Sequence, residues 1–258
     1  TAGSIKIDGA NFTGNLAGSI AATRLSANTT SGFSITKYTG NDTAGATVAH
    51  GLNAAPDLVI IKNLDAAQGW VVTSPELGTT GDTYGGLAEY YILTLDTNTA
   101  KGDWSQDTIY GLTSSTFSIG SGGTMVMNNN SSYSYVAYCF AGKEGFSKVG
   151  TYAGTNTADG PYVYTGFQPA FIMMKSITTG GSATYSWSIF DNKRTSANKL
   201  RSQLEANTND AEDTGATADI DILSNGFKLR YSPNDTNGPN TYIYIAFAES
   251  PFKYANAR

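Results

Sequence analysis

The chain has 258 residues, enough for one large domain or two small ones with their own cores. Hydrophobic residues make up 40% and charged residues 14%, which excludes a disordered polyelectrolyte, and a net charge of −5 leaves no basic footprint for nucleic acid. No apolar run reaches the length of a membrane-crossing helix, so no membrane insertion is expected. The 29 glycines and 16 tyrosines fit many short strands joined by tight turns.

Residues 1–31 read differently from the rest. The start at Thr1, without Met, reads as a processed or truncated end. Phe12, Leu16, Ile20 and Leu25 are spaced by four or five, with Gly9, Gly14 and Gly18 among them. Each glycine costs a helix about 1 kcal/mol against alanine. Alone, this segment has nothing to cover its apolar residues, whereas parallel copies around an axis would cover each other. Residues 1–31 are therefore expected to form a stalk or oligomerisation segment.

From Gly32 the chain repeats itself. Gly32-Phe33-Ser34 returns as Gly145-Phe146-Ser147, and Tyr38-Thr39-Gly40 as Tyr152-Ala153-Gly154. The run Leu58-Val59-Ile60-Ile61-Lys62 returns as Phe171-Ile172-Met173-Met174-Lys175, and Trp70 as Trp187. Each copy closes on an aromatic run, Tyr133 to Tyr138 and Tyr242 to Phe247, aligned with Tyr133 on Tyr242. Short apolar runs between Gly, Asn and Pro turns predict strands, and the two copies are expected at 32–144 and 145–258. Leu200 and Leu204 have helical spacing, but their counterpart Tyr91-Ile92-Leu93-Thr94-Leu95 reads as strand, so strand is expected in both.

Few residues carry chemistry. His50 is the only histidine, and its counterpart is Thr165, so it reads as a turn residue and not a catalytic base. Cys139, the only cysteine, lies in an apolar run and reads as a small buried hydrophobe. The acidic groups Asp103 with Asp107, and Asp210 with Glu212 and Asp213, lie in polar loops and not across a cleft. The oxygen-rich stretches 209–213 and 234–237 depart from the EF-hand pattern and read as solvated loops, so no metal ligand is expected. No phosphate-cradling loop is present, no catalytic residue is assigned and no cofactor is expected.

Binding residues are more promising. Trp70 and Trp187 occupy matching positions and are expected in the core. Trp104 has no counterpart and sits in the polar loop 101–107, which makes it the best stacking platform for a sugar, with Asp103 and Asp107 beside it. Tyr84, next to Gly85-Gly86, and the loop bearing Asp191 and Arg194 are further ligand-binding candidates.

The segment Gly14-Asn15-Leu16-Ala17-Gly18-Ser19-Ile20-Ala21-Ala22-Thr23-Arg24-Leu25 resembles the G-x-L-x-G-x-I-P-A-x-R-L stalk repeat of phage tail fibres, with Ala21 where proline is common. The stretches 145–152, 159–170, 223–228 and 244–252 resemble a domain of virion structural proteins from marine and cyanobacterial phages. The resemblance implies an all-β fold of two tandem β-sandwich domains, jelly-roll or lectin-like, after a stalk. It implies a non-enzymatic, homotrimeric fibre or appendage at the virion surface. Its partners would be other virion proteins and a host cell-surface glycan or protein. A purely structural virion role and a glycan-degrading depolymerase are the alternatives.

Overall fold

The structure is a computed structural model that describes residues 4–103, 109–120, 127–178, 185–195, 198–215, 219–231 and 235–251. It is all-β, and the chain divides into two compact units. Unit 1 holds residues 1–94 and 102–141, and unit 2 holds residues 95–101 and 142–258. Among the described residues no helix is long and apolar enough to cross a membrane.

Unit 1 contains β1 (Ile5–Ile7), β2 (Ala10–Asn11), β3 (Ala22–Asn28), β4 (Phe33–Thr39), β5 (Ala46–Ala49), β6 (Leu58–Asn63), β7 (Trp70–Thr73), β8 (Thr79–Tyr84), β9 (Leu87–Tyr90), β10 (Ile92–Thr94), β11 (Ile109–Leu112), β12 (Thr116–Ile119) and β13 (Ser134–Phe140). One sheet runs β10-β7-β6-β13-β4-β3-β1-β2 and the other β5-β12-β11-β9-β8. Tyr38, Val59, Ile61, Tyr135 and Ala137 of the first meet Val48, Ile109, Phe117 and Ile119 of the second in one core. Strand periodicity explains the sorting. Along β4, Ser34, Thr36 and Tyr38 are buried while Ile35 and Lys37 face out. Cys139 is buried on the same principle in β13, and burial pushes its thiol up to about 12, which removes it as a nucleophile.

Unit 2 contains β14 (Ser147–Ala153), β15 (Tyr162–Tyr164), β16 (Pro169–Ser176), β17 (Ser188–Asp191), β18 (Leu204–Glu205), β19 (Ile220–Leu223), β20 (Gly226–Leu229) and β21 (Thr241–Ala248). Its sheets run β14-β21-β16-β17-β18 and β15-β20-β19. Tyr152, Ile172, Met174 and Tyr244 of the first sheet meet Val163, Phe227 and Leu229 of the second. Residues 198–205 form strand contacts, with Leu200 bridged to Ile220 and Gln203 to Asp213, so the short helix that the leucine spacing allowed does not form there.

The order β4-β13-β6-β7-β10 in unit 1 matches β14-β21-β16-β17-β18 in unit 2, and β5-β12-β11 matches β15-β20-β19. Side chains match as well. Tyr38 stacks on Tyr135 at 5.3 Å and donates its hydroxyl to Asn128 O (2.8 Å). Tyr152 stacks on Tyr242 at 5.0 Å and donates to Thr236 O (2.6 Å). The position equivalent to Tyr242 is therefore Tyr135, not Tyr133. A slip of two residues keeps every side chain on its own face, so the aromatic pattern alone did not expose it.

The N-terminal segment differs from the expected free-standing stalk. Strand β3 pairs antiparallel with β4, and β1 pairs in parallel with β3. Ile20, Leu25 and Ala27 enter the core of unit 1, which supplies the cover that the segment lacks by itself. Gly18 has φ +105°, and a Cβ there would lie 2.7 Å from Thr47 O, so this glycine serves a close backbone approach. Trp70 also differs from expectation. Trp187 is buried, but Trp70 is only half-buried, stacked on Tyr138 at 6.3 Å with Lys62 Nζ 5.8 Å from its ring centre.

Candidate functional site

The strongest candidate lies on the outer face of the second sheet of unit 1. Strand register aligns Thr47, Ser118, Tyr110 and Glu89 in one row across β5, β12, β11 and β9. Their neighbours Val48, Phe117 and Ile109 point into the core, so the row points away from it. Asp82 and Tyr84 lie two apart on β8, the edge strand beside β9.

Tyr84 is 42% exposed and its ring lies 5.7 Å from that of Tyr110. It rests on Gly45, where φ is +65° and a Cβ would lie 2.3 Å from the ring. No other residue fits beneath the ring, so Gly45 seats it. Glu89 is only 3% exposed, hydrogen-bonded to Asp103, and its Oε1 has no partner. Burial, then the charges of Asp103 and Asp82, push its carboxyl up to about 7. Near neutral pH the Glu89 carboxyl is therefore part-protonated. The arrangement offers an exposed aromatic ring beside groups that accept hydroxyl protons, the two elements of a sugar site.

Comparison with known families bears on the whole chain. Residues 6–251 match a domain of unknown function, DUF7483. The chain belongs to this family. The match runs through both units. No curated protein and no solved structure matches the chain.

In this DUF7483 chain, two of the residues singled out from sequence fall on this face: Asp103 lies beside Glu89, and Tyr84 lies against Tyr110, the residue that pairs with Glu89 across β11 and β9. Glu89 itself was missed. Its one signal is an acid inside the strand-like run Leu87–Tyr90, and only the approach of Asp103 gives it meaning. Trp104 and Asp107 lie outside the described residues. Asp191 and Arg194, in unit 2, serve each other. Arg194 Nε contacts Asp191 Oδ2 and its Nη1 contacts Glu212 Oε1, both at 2.5 Å, while Asp191 Oδ1 accepts the amides of Lys193 and Arg194. That network ties a turn together, and Glu212 is engaged there instead of pairing with Asp210 or Asp213. Among the described residues, no group of three or more His, Cys, Asp or Glu is arranged to hold a metal ion.

His50 has a structural assignment. It is buried, and its Nδ1 accepts the amide of Leu52 (3.2 Å), so Nε2 carries the proton and donates to Thr113 O (3.1 Å). At the matching place in unit 2, Thr165 Oγ1 accepts the amide of Phe167 (3.4 Å) and donates to Phe167 O (2.6 Å). Burial lowers the His50 pKa, against the Thr113 bond that raises it. The unfolded chain thus binds a proton that the native one resists, and stability falls as pH drops below about 6.5. His50→Thr is expected to fold, to cost about 1 kcal/mol for the lost bond, and to flatten this acid slope in urea titrations.

Proposed function

We propose that this protein is a virion-associated fibre or appendage protein whose two β-sandwich modules adhere to glycans on a host surface. The observation that carries the binding half is the seated, exposed Tyr84 ring beside the Glu89–Asp103 carboxyl pair. An immobilised ring presents a flat apolar surface at little entropic cost, and the carboxyls orient a sugar through its hydroxyls. The shared strand order and the matching tyrosine stacks support a duplicated module. The resemblance to phage fibre repeats supports the virion setting and a trimeric assembly, in which several weak sites act together by avidity.

A hydrolytic role fits this face poorly. Glycosidase carboxyls stand about 5 Å or more apart, across the bond that they cut. Asp103 lies close enough to Glu89 to raise its pKa, and the Glu89 carboxyl is buried, so the pair does not face each other across an open cleft.

Glycan microarrays probed with the full chain provide the test. Binding to a defined set of saccharides is expected, and Tyr84→Ala should weaken it about fivefold to thirtyfold, the effect of losing about 1–2 kcal/mol on truncating an aromatic anchor. The variant should keep the wild-type unfolding free energy within about 1 kcal/mol, because surface truncations are mild. Binding that survives Tyr84→Ala unchanged removes this face from the proposal.

A further inference from the structure

The two units differ on one side, and the difference points to a docking surface. In unit 1 the outer edges of β4 and β5 are both covered by the N-terminal segment. Strand β3 runs along β4, and Ile20 bridges in parallel to Val48 of β5. Thr47 donates its amide to Ser19 Oγ (2.9 Å), its carbonyl accepts the amide of Ile20 (3.0 Å), and Ser19 donates its amide to Thr47 Oγ1 (2.9 Å).

The matching edges of unit 2 are β14 and β15. Among the described residues β14 pairs only with β21, apart from a one-residue bridge between Ser147 and Lys143, and β15 pairs only with β20. The bonds Leu229 N–H to Pro161 O and Thr165 N–H to Asn225 O bracket β15. Antiparallel alternation then turns the main-chain groups of Tyr162 and Tyr164 away from β20. Lys148 Nζ caps Tyr164 O (2.9 Å). The amides of Tyr162 and Tyr164 and the carbonyl of Tyr162 have no partner among the described residues, and both side chains are well exposed, at 44% and 57%. Only residues 141–146 join β13 to β14, too few to lay an arm along these edges.

We propose that the β14–β15 side of unit 2 docks an extended segment of a partner polypeptide. This segment is chemically like residues 18–28, in which Ser19, Thr23 and Ser26 are interspersed among Ile20, Leu25 and alanines. It adds strands where unit 1 already carries its own. Main-chain pairing to an open edge supplies the affinity, and Val163 and Phe227 behind β15 fix which face the aliphatic side chains seek. The inference does not depend on the glycan reading.

The test is hydrogen exchange on the full chain with a synthetic peptide of residues 18–28 as probe. The expected result is saturable slowing of the Tyr162 and Tyr164 amides by at least tenfold. The same peptide N-methylated at its Ile20 position, which cannot donate to the edge, should give no slowing. No slowing at millimolar peptide, slowing confined to β4 and β5, or equal slowing by the N-methylated peptide would each overturn the proposal. The probe leaves the protein unmutated, so misfolding cannot mimic failure.

Discussion

Replacing Lys175 with alanine will destabilise unit 2 by about 3–5 kcal/mol, the usual cost of stripping one partner from a buried charged network. Lys175 is fully buried at the end of β16. Its three N–H donors reach Tyr185 O (2.6 Å), Asn98 O (3.2 Å) and Ser176 O (3.2 Å). The peptide unit whose carbonyl takes the ammonium offers its other side, the Ser186 amide, to Asp235 Oδ1 (3.1 Å). Cation and anion thus polarise one amide from opposite ends, which strengthens both bonds in a dry setting. Burial lowers Lys175 to about 8 and raises Asp235 to about 6, so both remain charged near pH 7. Alanine leaves three carbonyls short of a donor and Asp235 without its counter-charge. The matching Lys62→Ala in unit 1 should cost only about 1 kcal/mol, because Lys62 is half-buried, donates to Gln68 O and lies over the Trp70 ring. Urea unfolding followed by tryptophan fluorescence reads both, with Trp187 buried in unit 2. Equal costs for the two lysines would refute the network account.

The second large effect is a pH dependence carried by Glu89. Its carboxyl keeps its proton up to about pH 7 in the native chain, against 4.5 as the reference. A raised native pKa gives stability that is complete below pH 4.5 and lost as pH rises through 7, in total about 3 kcal/mol at 1.36 kcal/mol per unit. Glu89→Gln retains a neutral hydrogen-bonding group at that place. It should therefore be about 3 kcal/mol more stable than wild type at pH 8 and nearly equal to it at pH 4.5. The His50 effect has the opposite sense, falling towards acid, so the two separate cleanly in the single variants. A Glu89→Gln chain that is less stable than wild type at pH 8 would show that the carboxylate is stabilised in the native state by a partner that the geometry does not show.

Much of the fold can be read from the amino acids. Aromatic landmarks, proline-led apolar runs and glycine turns mark strands in both halves, and the tyrosines of β4 and β14 line up without coordinates. Other features are silent in the chain because they arise from tertiary approach. The arm 4–28 has the spacing of a stalk, but its cover is a sheet edge that folds back from residues 33–49. Trp70 and Trp187 hold one position in the pattern and differ in burial, because Lys62 and Tyr138 leave one side of Trp70 open while Trp187 is enclosed. The candidate site divides the same way. Tyr84 and Asp103 are conspicuous in polar, glycine-bearing loops. Glu89 lies in a short strand, and its altered acidity depends on an acid fourteen residues away in sequence.

The most direct test of the central claim is a crystal structure of the full chain with a saccharide drawn from the microarray. The account predicts a sugar ring packed within about 4 Å of the Tyr84 ring, with a hydroxyl on the exposed carboxylate of Asp82. A saccharide seated on Tyr162 and Tyr164 of unit 2, or elsewhere with Tyr84 bare, would contradict it.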